Sequence, residues 1–219
     1  GEIFGLLGPN ELAIVANGTN AGIKNAKRDL GVLVSENEAV FWATLTSNKS
    51  RAHCIERAAA IRSGGHTVRA VIVNSGNANA LTGPRGREDD AAVARAVAEK
   101  IGVEPHEVLT ASTGVIGHRL PVEKVTSGIP KLVAQMSEDP EHFAQSIMTT
   151  DRTMKVTARE IFIEGIRVKL HAVAKGAGMI APELATTLCF VTTDCAMTQA
   201  ALKMALESAT EVSFNQISV

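Results

Sequence analysis

The apolar positions of this chain switch repeatedly between a period of two and a period near 3.6. Residues 11–16 (ELAIVA) and 31–36 (GVLVSE) are short runs of strand type, and 40–46 (VFWATLT) adds a run rich in β-branched and aromatic residues. Residues 51–62 have the spacing of an amphipathic helix that Gly64-Gly65 ends. The apolar run VRAVIVN at 68–74 has strand length and predicts a strand buried on both faces. A polar Asn- and Gly-rich loop follows it. Residues 88–101 predict a helix with acidic residues in its first turn and Gly102 after its end. A strand at 108–112 enters a TGVIG turn, and helices are expected at 121–136 and 140–148. Residues 161–174 read as a hairpin turning near Glu164-Gly165. A glycine-bearing loop leads from there to a strand at 186–194, and a last helix covers about 198–212. The closing SFNQISV predicts a strand entering a chain that continues.

Strands and helices are mixed without strict βαβ repetition, so the expected class is α/β, of the layered α+β kind. The 219 residues suffice for one domain with a sizeable core. With 22 basic and 23 acidic residues, the charge balance favours neither nucleic acid nor an anionic membrane surface. There is no Tyr and one Trp, so stacking platforms for single-stranded nucleic acid are scarce. Three cysteines (Cys54, Cys189 and Cys195) argue for a reducing compartment, and Cys189 and Cys195 read as small core residues. No apolar stretch reaches the ~18 residues of a membrane helix. No signal peptide is evident at the start, and a cytoplasmic location is expected. His53, His66, His106, His118, His142 and His171 are scattered, without ligand spacing, and read as surface or capping residues. No metal and no bound cofactor is expected.

Chemistry concentrates in residues 175–194, KGAGMIAPELATTLCFVTTD. A glycine-bearing loop delivers the chain to Pro182, and Ala185-Thr186-Thr187 opens a buried strand. A Thr at a strand start behind a small residue is the local layout of an N-terminal nucleophile. The Thr186 hydroxyl can attack the Ala185 carbonyl in an N-to-O acyl shift. Hydrolysis of the ester then frees an amine that serves as base for its own hydroxyl. Glycines permit the bent backbone that this shift requires. By itself the segment is unspecific, because Thr opens many strands.

Three other segments bear on it. LTASTGVIG at 109–117 is a strand entering a tight turn whose N–H groups can hold an oxyanion. IMTTDRTMK at 147–155 offers hydroxyls, a carboxylate and an ammonium to a polar substrate, although Thr149, Thr150 and Asp151 equally suit a helix cap. NSGNANALTG at 74–83 suits a structural loop with positive φ angles. These segments, with LPVEKV, KGAGMIAP, ATTL and the closing SFNQISV, lie in one order from about residue 18 onward. Together they resemble the bifunctional ornithine acetyltransferases (glutamate N-acetyltransferases) of arginine biosynthesis.

That resemblance implies a precursor that cleaves itself between Ala185 and Thr186. Thr186 would then carry an acetyl group from N-acetylornithine to glutamate, with acetyl-CoA as a further donor in some members. Thr113 and Gly114 match the oxyanion-hole pair, and Thr150 and Lys175 match substrate-binding residues. The implied fold is the layered arrangement of self-processing peptidases such as the D-aminopeptidase group. The implied assembly is a heterotetramer of two cleaved chain pairs. Residues 1–185 would form the α chain, and 186–219 would begin a β chain that continues beyond Val219. The chain departs from the family pattern at Glu183-Leu184, where Asn-Met is usual, and at Thr187, where Met is usual. LTSNKSRAH lacks the Ala-Pro usual in that segment. Two other functions suit the same residues: an amidohydrolase or aminopeptidase using water as acceptor, and an unprocessed, catalytically silent binding subunit.

Overall fold

The computed structural model describes the backbone of residues 2–7 and the whole of residues 14–176 and 187–217. Its spine is β3 (Leu30–Thr44), a 15-residue strand. The sequence suggested two strands there, at 31–36 and 40–46. The chain instead runs through, with an irregularity between Val34 and Ala39 where Glu36, Asn37 and Glu38 reach solvent. The first half of β3 pairs antiparallel with β2 (Ile14–Thr19) and β4 (Val68–Asn77). Its second half pairs antiparallel with β1 (Glu2–Leu7), a strand the sequence reading missed. β5 (Val108–Val115) joins β4 in parallel, and β8 (Leu188–Thr193) joins β1 in parallel. β7 (Ile166–Lys175) then pairs antiparallel with β8, and β6 (Lys155–Ile163) pairs antiparallel with β7. The sheet order is β5-β4-β3-β1-β8-β7-β6, with β2 beside β3. The hairpin turn falls at Glu164-Gly165, as expected, but its strands extend beyond the 161–174 read from sequence.

Five α-helices are described: α1 (His53–Ser63), α2 (Gly83–Ile101), α3 (Val122–Ala134), α4 (Glu141–Ile147) and α5 (Gln199–Glu211). α2 starts at Gly83 with a proline in its first turn, five residues before the expected 88. Its acidic stretch therefore does not face the helix N-terminus. Asp90 is buried, bound by Arg57 at 2.7 Å and by the Thr110 hydroxyl at 2.5 Å. The helix ends on Gly102 at φ +75°, a left-handed cap. The expected terminal strand is instead a single 3-10 turn at Phe214–Gln216. His53, read as a surface or capping residue, is buried in the first turn of α1.

Strand alternation divides the core. Val32 and Val34 of β3 and Ala70 and Ile72 of β4 face α2 and α3. Leu33, Val71 and Val73 face the opposite way, toward α1 and α4. Phe143 of α4 meets Phe190 of β8 edge-on, with ring centroids 5.4 Å apart, so α4 sits between the β3–β4 half and the β7–β8 half. Cys54 and Cys189 are buried and Cys195 is half-buried. Burial pushes the Cys189 thiol up to about 12.

Two glycines let α4 approach β2 and β3. A Cβ on Gly18 would lie 1.9 Å from the His142 carbonyl oxygen, and one on Gly31 would lie 2.1 Å from the Ser146 hydroxyl. The first contact is with backbone and cannot rotate away. Gly18→Ala is expected to cost about 3 kcal/mol, as overpacking does in a closed contact. Urea unfolding followed by circular dichroism checks it.

Candidate active site

Four chain segments converge where α4 ends. The first is the loop before β3. The Asp29 carboxylate is fully buried and accepts the N–H groups of Ala21 (2.6 Å), Ile23 (2.7 Å) and Lys24 (2.8 Å). The Asp29 carbonyl accepts the Ser75 N–H at 2.8 Å, which fixes the loop to the end of β4. Lys24 is thereby placed with its stem across Gly76: a Cβ there would lie 3.0 Å from Lys24 Cγ. The Lys24 ammonium donates to the Met148 carbonyl at 2.9 Å.

The second segment is the paired end of β4 and β5. Ser75 lies opposite Thr113 and Gly76 opposite Gly114. Both glycines have positive φ, +105° at Gly76 and +135° at Gly114. A Cβ on Gly114 would fall 2.4 Å from the Gly76 carbonyl carbon and 2.6 Å from the Asn77 nitrogen. Thr113 is buried and Gly114 is exposed, so one residue anchors the turn and the next opens to solvent. The asparagines of the NSGNAN loop hold this shape. Asn74 donates to the Asn77 carbonyl (2.7 Å) and accepts from the Ser112 hydroxyl (2.6 Å). The Asn77 amide donates to the carbonyls of His118 and Arg119. The loop is structural, as one reading had it, and it also builds the close approach of Gly76 to Gly114.

The third segment follows α4. The Ser75 hydroxyl donates to the Ser146 carbonyl, which ties the helix end to β4. Asp151 does not cap a helix. It accepts the Gly176 N–H at 2.8 Å and the Thr149 N–H at 3.3 Å, and pairs with Lys155 at 2.6 Å. The fourth segment is the end of β7. Lys175 is 4% exposed, and its ammonium donates to the Thr149 hydroxyl at 3.3 Å. Thr149, rather than the exposed Thr150, meets this lysine. A Cβ on Gly176 would lie 3.0 Å from the Thr187 hydroxyl, and Lys175 pairs with Leu188.

Ala185 and Thr186 lie outside the described residues. Thr187, joined directly to Thr186, is buried against Gly176 and immediately precedes Leu188, the residue that pairs with Lys175. Thr113-Gly114 connects to Lys175 through Gly76, Lys24 and the Met148–Asp151 turn. Sequence reasoning missed Lys24, Asp29 and Gly76. Three N–H groups converging on one buried aspartate leave no periodic signal.

The family model that matches this chain is that of the ArgJ family, over residues 15–219. The chain belongs to the ArgJ family. The bifunctional arginine biosynthesis protein ArgJ of Thermus thermophilus is 44% identical over 93% of this chain, and that of Bacillus subtilis is 43% identical over 93%. The chain spans about half the length of these relatives, 52% and 50%. A crystal structure of the Bacillus halodurans ArgJ protein superposes with TM-score 0.73 and 34% identity, over 82% of this chain and 96% of that one. The Mycobacterium tuberculosis ornithine acetyltransferase complexed with ornithine gives 0.67 and 33%, over 80% and 92%. The layered α/β fold expected from sequence is thus the fold of ArgJ structures.

In this ArgJ-family site, electrostatics set two groups apart. Burial pulls the Lys175 ammonium below the ordinary lysine value; Asp151 opposes that shift, while Lys155 and Lys24 add to it. Burial pushes the Asp151 carboxyl up, but bonds from Lys155, Gly176 and Thr149 outweigh it and leave the carboxyl below its usual range. The folded chain binds the Lys175 proton less tightly than the unfolded chain does. Stability from this group is therefore reduced at neutral pH and recovers as pH rises through the lowered value toward 10.5. Lys175→Met is expected to stabilise the chain at pH 7 by about 1–2 kcal/mol, as replacing a buried charge by an apolar side chain does. The gain should shrink as pH approaches 10. Denaturant midpoints across that range check both parts.

Among the described residues, no three His, Cys, Asp or Glu side chains gather to hold a metal ion. No described helix is long and apolar enough to cross a membrane.

Proposed function

We propose that this chain is the first half of a self-processing acyltransferase that moves an acetyl group from N-acetylornithine to glutamate. The observation that carries the reading is the packing of Gly176, held by Asp151 of the Met148–Asp151 turn, against Thr187, the residue next to the proposed nucleophile, with Lys24 linking that turn to the Gly76–Gly114 edge. In the first step the Thr186 hydroxyl oxygen attacks the Ala185 carbonyl carbon. The C–N bond breaks, an ester forms and the amine takes the proton. Water hydrolyses the ester, leaving the Ala185 carboxylate and a free Thr186 amine. That amine accepts the hydroxyl proton when Thr186 attacks the acetyl donor. Ornithine leaves, and glutamate removes the acetyl group in a second, mirrored step. Thr113 and Gly114 stabilise the oxyanion in each. Lys175 and Thr150 bind substrate. In this reading the positive charge of Lys175, which pairs with Leu188 two residues after Thr186, favours a neutral amine at the new N-terminus.

Length supports the division of the chain. This chain covers 96% and 92% of the two solved structures but about half of the full relatives, so the solved chains are themselves much shorter than those relatives. The complete assembly in this reading is a heterotetramer of two cleaved pairs, in the cytoplasm, with acetyl-CoA as a second donor.

The test is transfer through the enzyme. With acetyl-labelled N-acetylornithine, peptide mapping should find the label on Thr186, released by glutamate much faster than by buffer. Equal release by water identifies an amidohydrolase, and no label on Thr186 contradicts the reading.

A further inference from the structure

Two ammonium groups, not one, lie at the end of α4. Lys24 and Lys175 bind adjacent residues of the same turn, Met148 and Thr149. Neither has a carboxylate within salt-bridge distance among the described residues. Asp29, the acid nearest in sequence to Lys24, has its oxygens taken by three backbone N–H groups. Asp151 is taken by Lys155 and by the N–H groups of Gly176 and Thr149. Further positive charge borders the loop: Lys124 donates to the Gly22 carbonyl at 3.0 Å, and Lys27 adds to the repulsion that Lys24 feels. Asp29 and Asp151 attract the two ammoniums from beyond contact distance, yet among the described residues both ammoniums touch only neutral oxygens, which is costly for buried charge without a direct counter-ion.

We propose that Lys24 is a second carboxylate-binding residue of this site, placed with Lys175 to take a carboxylate of the amino-acid substrate. The loop that presents it is rigid by construction, because Asp29 holds three of its N–H groups. Gly76 leaves room for its stem, and the Met148 carbonyl takes one of its three N–H bonds, leaving two for a ligand. Burial lowers the Lys24 ammonium, and Lys24 in turn helps lower Lys175, so both groups gain when an anion binds between them. A carboxylate held by two ammoniums would be fixed against the Gly76–Gly114 edge, which orients the substrate amine toward that edge.

This inference rests on the proposed acyl transfer for the choice of probe alone. Calorimetric titration of the chain with glutamate, glutamine and isoglutamine compares each carboxylate with its amide. Wild type should bind glutamate at least about tenfold more tightly than one of the two amides, the size of one charge-assisted bond. Lys24→Gln keeps a donor for Met148 but removes the charge, and should lower that ratio several-fold, with Lys175 holding the remainder, while leaving amide binding nearly unchanged. Lys24→Arg should retain the ratio. Lys24→Met serves as a second neutral variant if Lys24→Gln fails to fold. An undiminished ratio in the neutral variants, or no discrimination by wild type, overturns the proposal. Binding is read without turnover. Absence of acetyl transfer with the ratios intact would therefore count against the proposed reaction and not against Lys24.

Discussion

Thr186→Ala is expected to abolish both backbone cleavage and acetyl uptake, by at least about a thousandfold. The reason is chemical. Without the hydroxyl no N-to-O shift can begin, and without cleavage the residue 186 nitrogen remains an amide that cannot act as a base. Thr186→Ser keeps the hydroxyl and should still cut. The pair separates chemistry from folding, because both variants lose the Thr186 methyl and only Thr186→Ala also loses the hydroxyl, while the buried strand Leu188–Thr193 is untouched. Thr187→Ala addresses the one-residue ambiguity in the Ala-Thr-Thr sequence. It should leave cleavage at the Ala185-Thr186 bond, and a shift of the cut to the next bond would reassign the nucleophile. Intact-mass measurements over time read all three variants.

Gly114→Ala should damage stability and chemistry together. Its φ of +135° is a region that L side chains rarely adopt, and its Cβ would press on the backbone of Gly76 and Asn77 at 2.4 and 2.6 Å. Strain and overpacking together predict a loss of about 3 kcal/mol in a denaturant titration. The chain can relieve the clash only by separating β4 from β5, which moves the N–H groups of the turn. Cleavage should therefore slow by about a hundredfold, the effect of losing one oxyanion donor. Gly117→Ala is the internal control. That glycine also has positive φ, +76°, but a Cβ there meets nothing within 4 Å. Its cost should be near 1 kcal/mol, with cleavage unchanged.

Much of the fold was legible because periodicity reports burial directly. The buried strand at 68–74 and the hairpin turn at Glu164-Gly165 follow from local pattern and turn chemistry. Helix α2 was found but started late, because Pro84 and Gly83 looked like loop, and its acids turned out to bind Arg57, Thr110 and Arg119. β3 was split in two because Glu36, Asn37 and Glu38 look like a turn, although they form an exposed irregularity within one strand. SFNQISV was read as a strand from its apolar ends, yet Phe214–Gln216 close a turn after α5.

The candidate site was legible as motifs and illegible as geometry. Thr113, Gly114, Thr150 and Lys175 came from the family resemblance. The structure shows what holds the neighbourhood together: Asp151 bridging Lys155 and Gly176, Thr149 against Lys175, and Asp29 presenting Lys24. These contacts join residues more than twenty positions apart, apart from those within one turn or loop. Asp151 looked like a cap residue because a short helix ends four residues before it. Its role depends on β7, which no local pattern connects to it.

The central claim is that the bond before Thr186 breaks by the chain's own chemistry. Its most direct test is the intact mass of the purified protein, expressed with whatever sequence its gene encodes beyond Val219. The account predicts two species that meet between Ala185 and Thr186, together accounting for the whole chain plus one water. A single uncleaved mass after prolonged incubation, or a cut at any other bond, would contradict it.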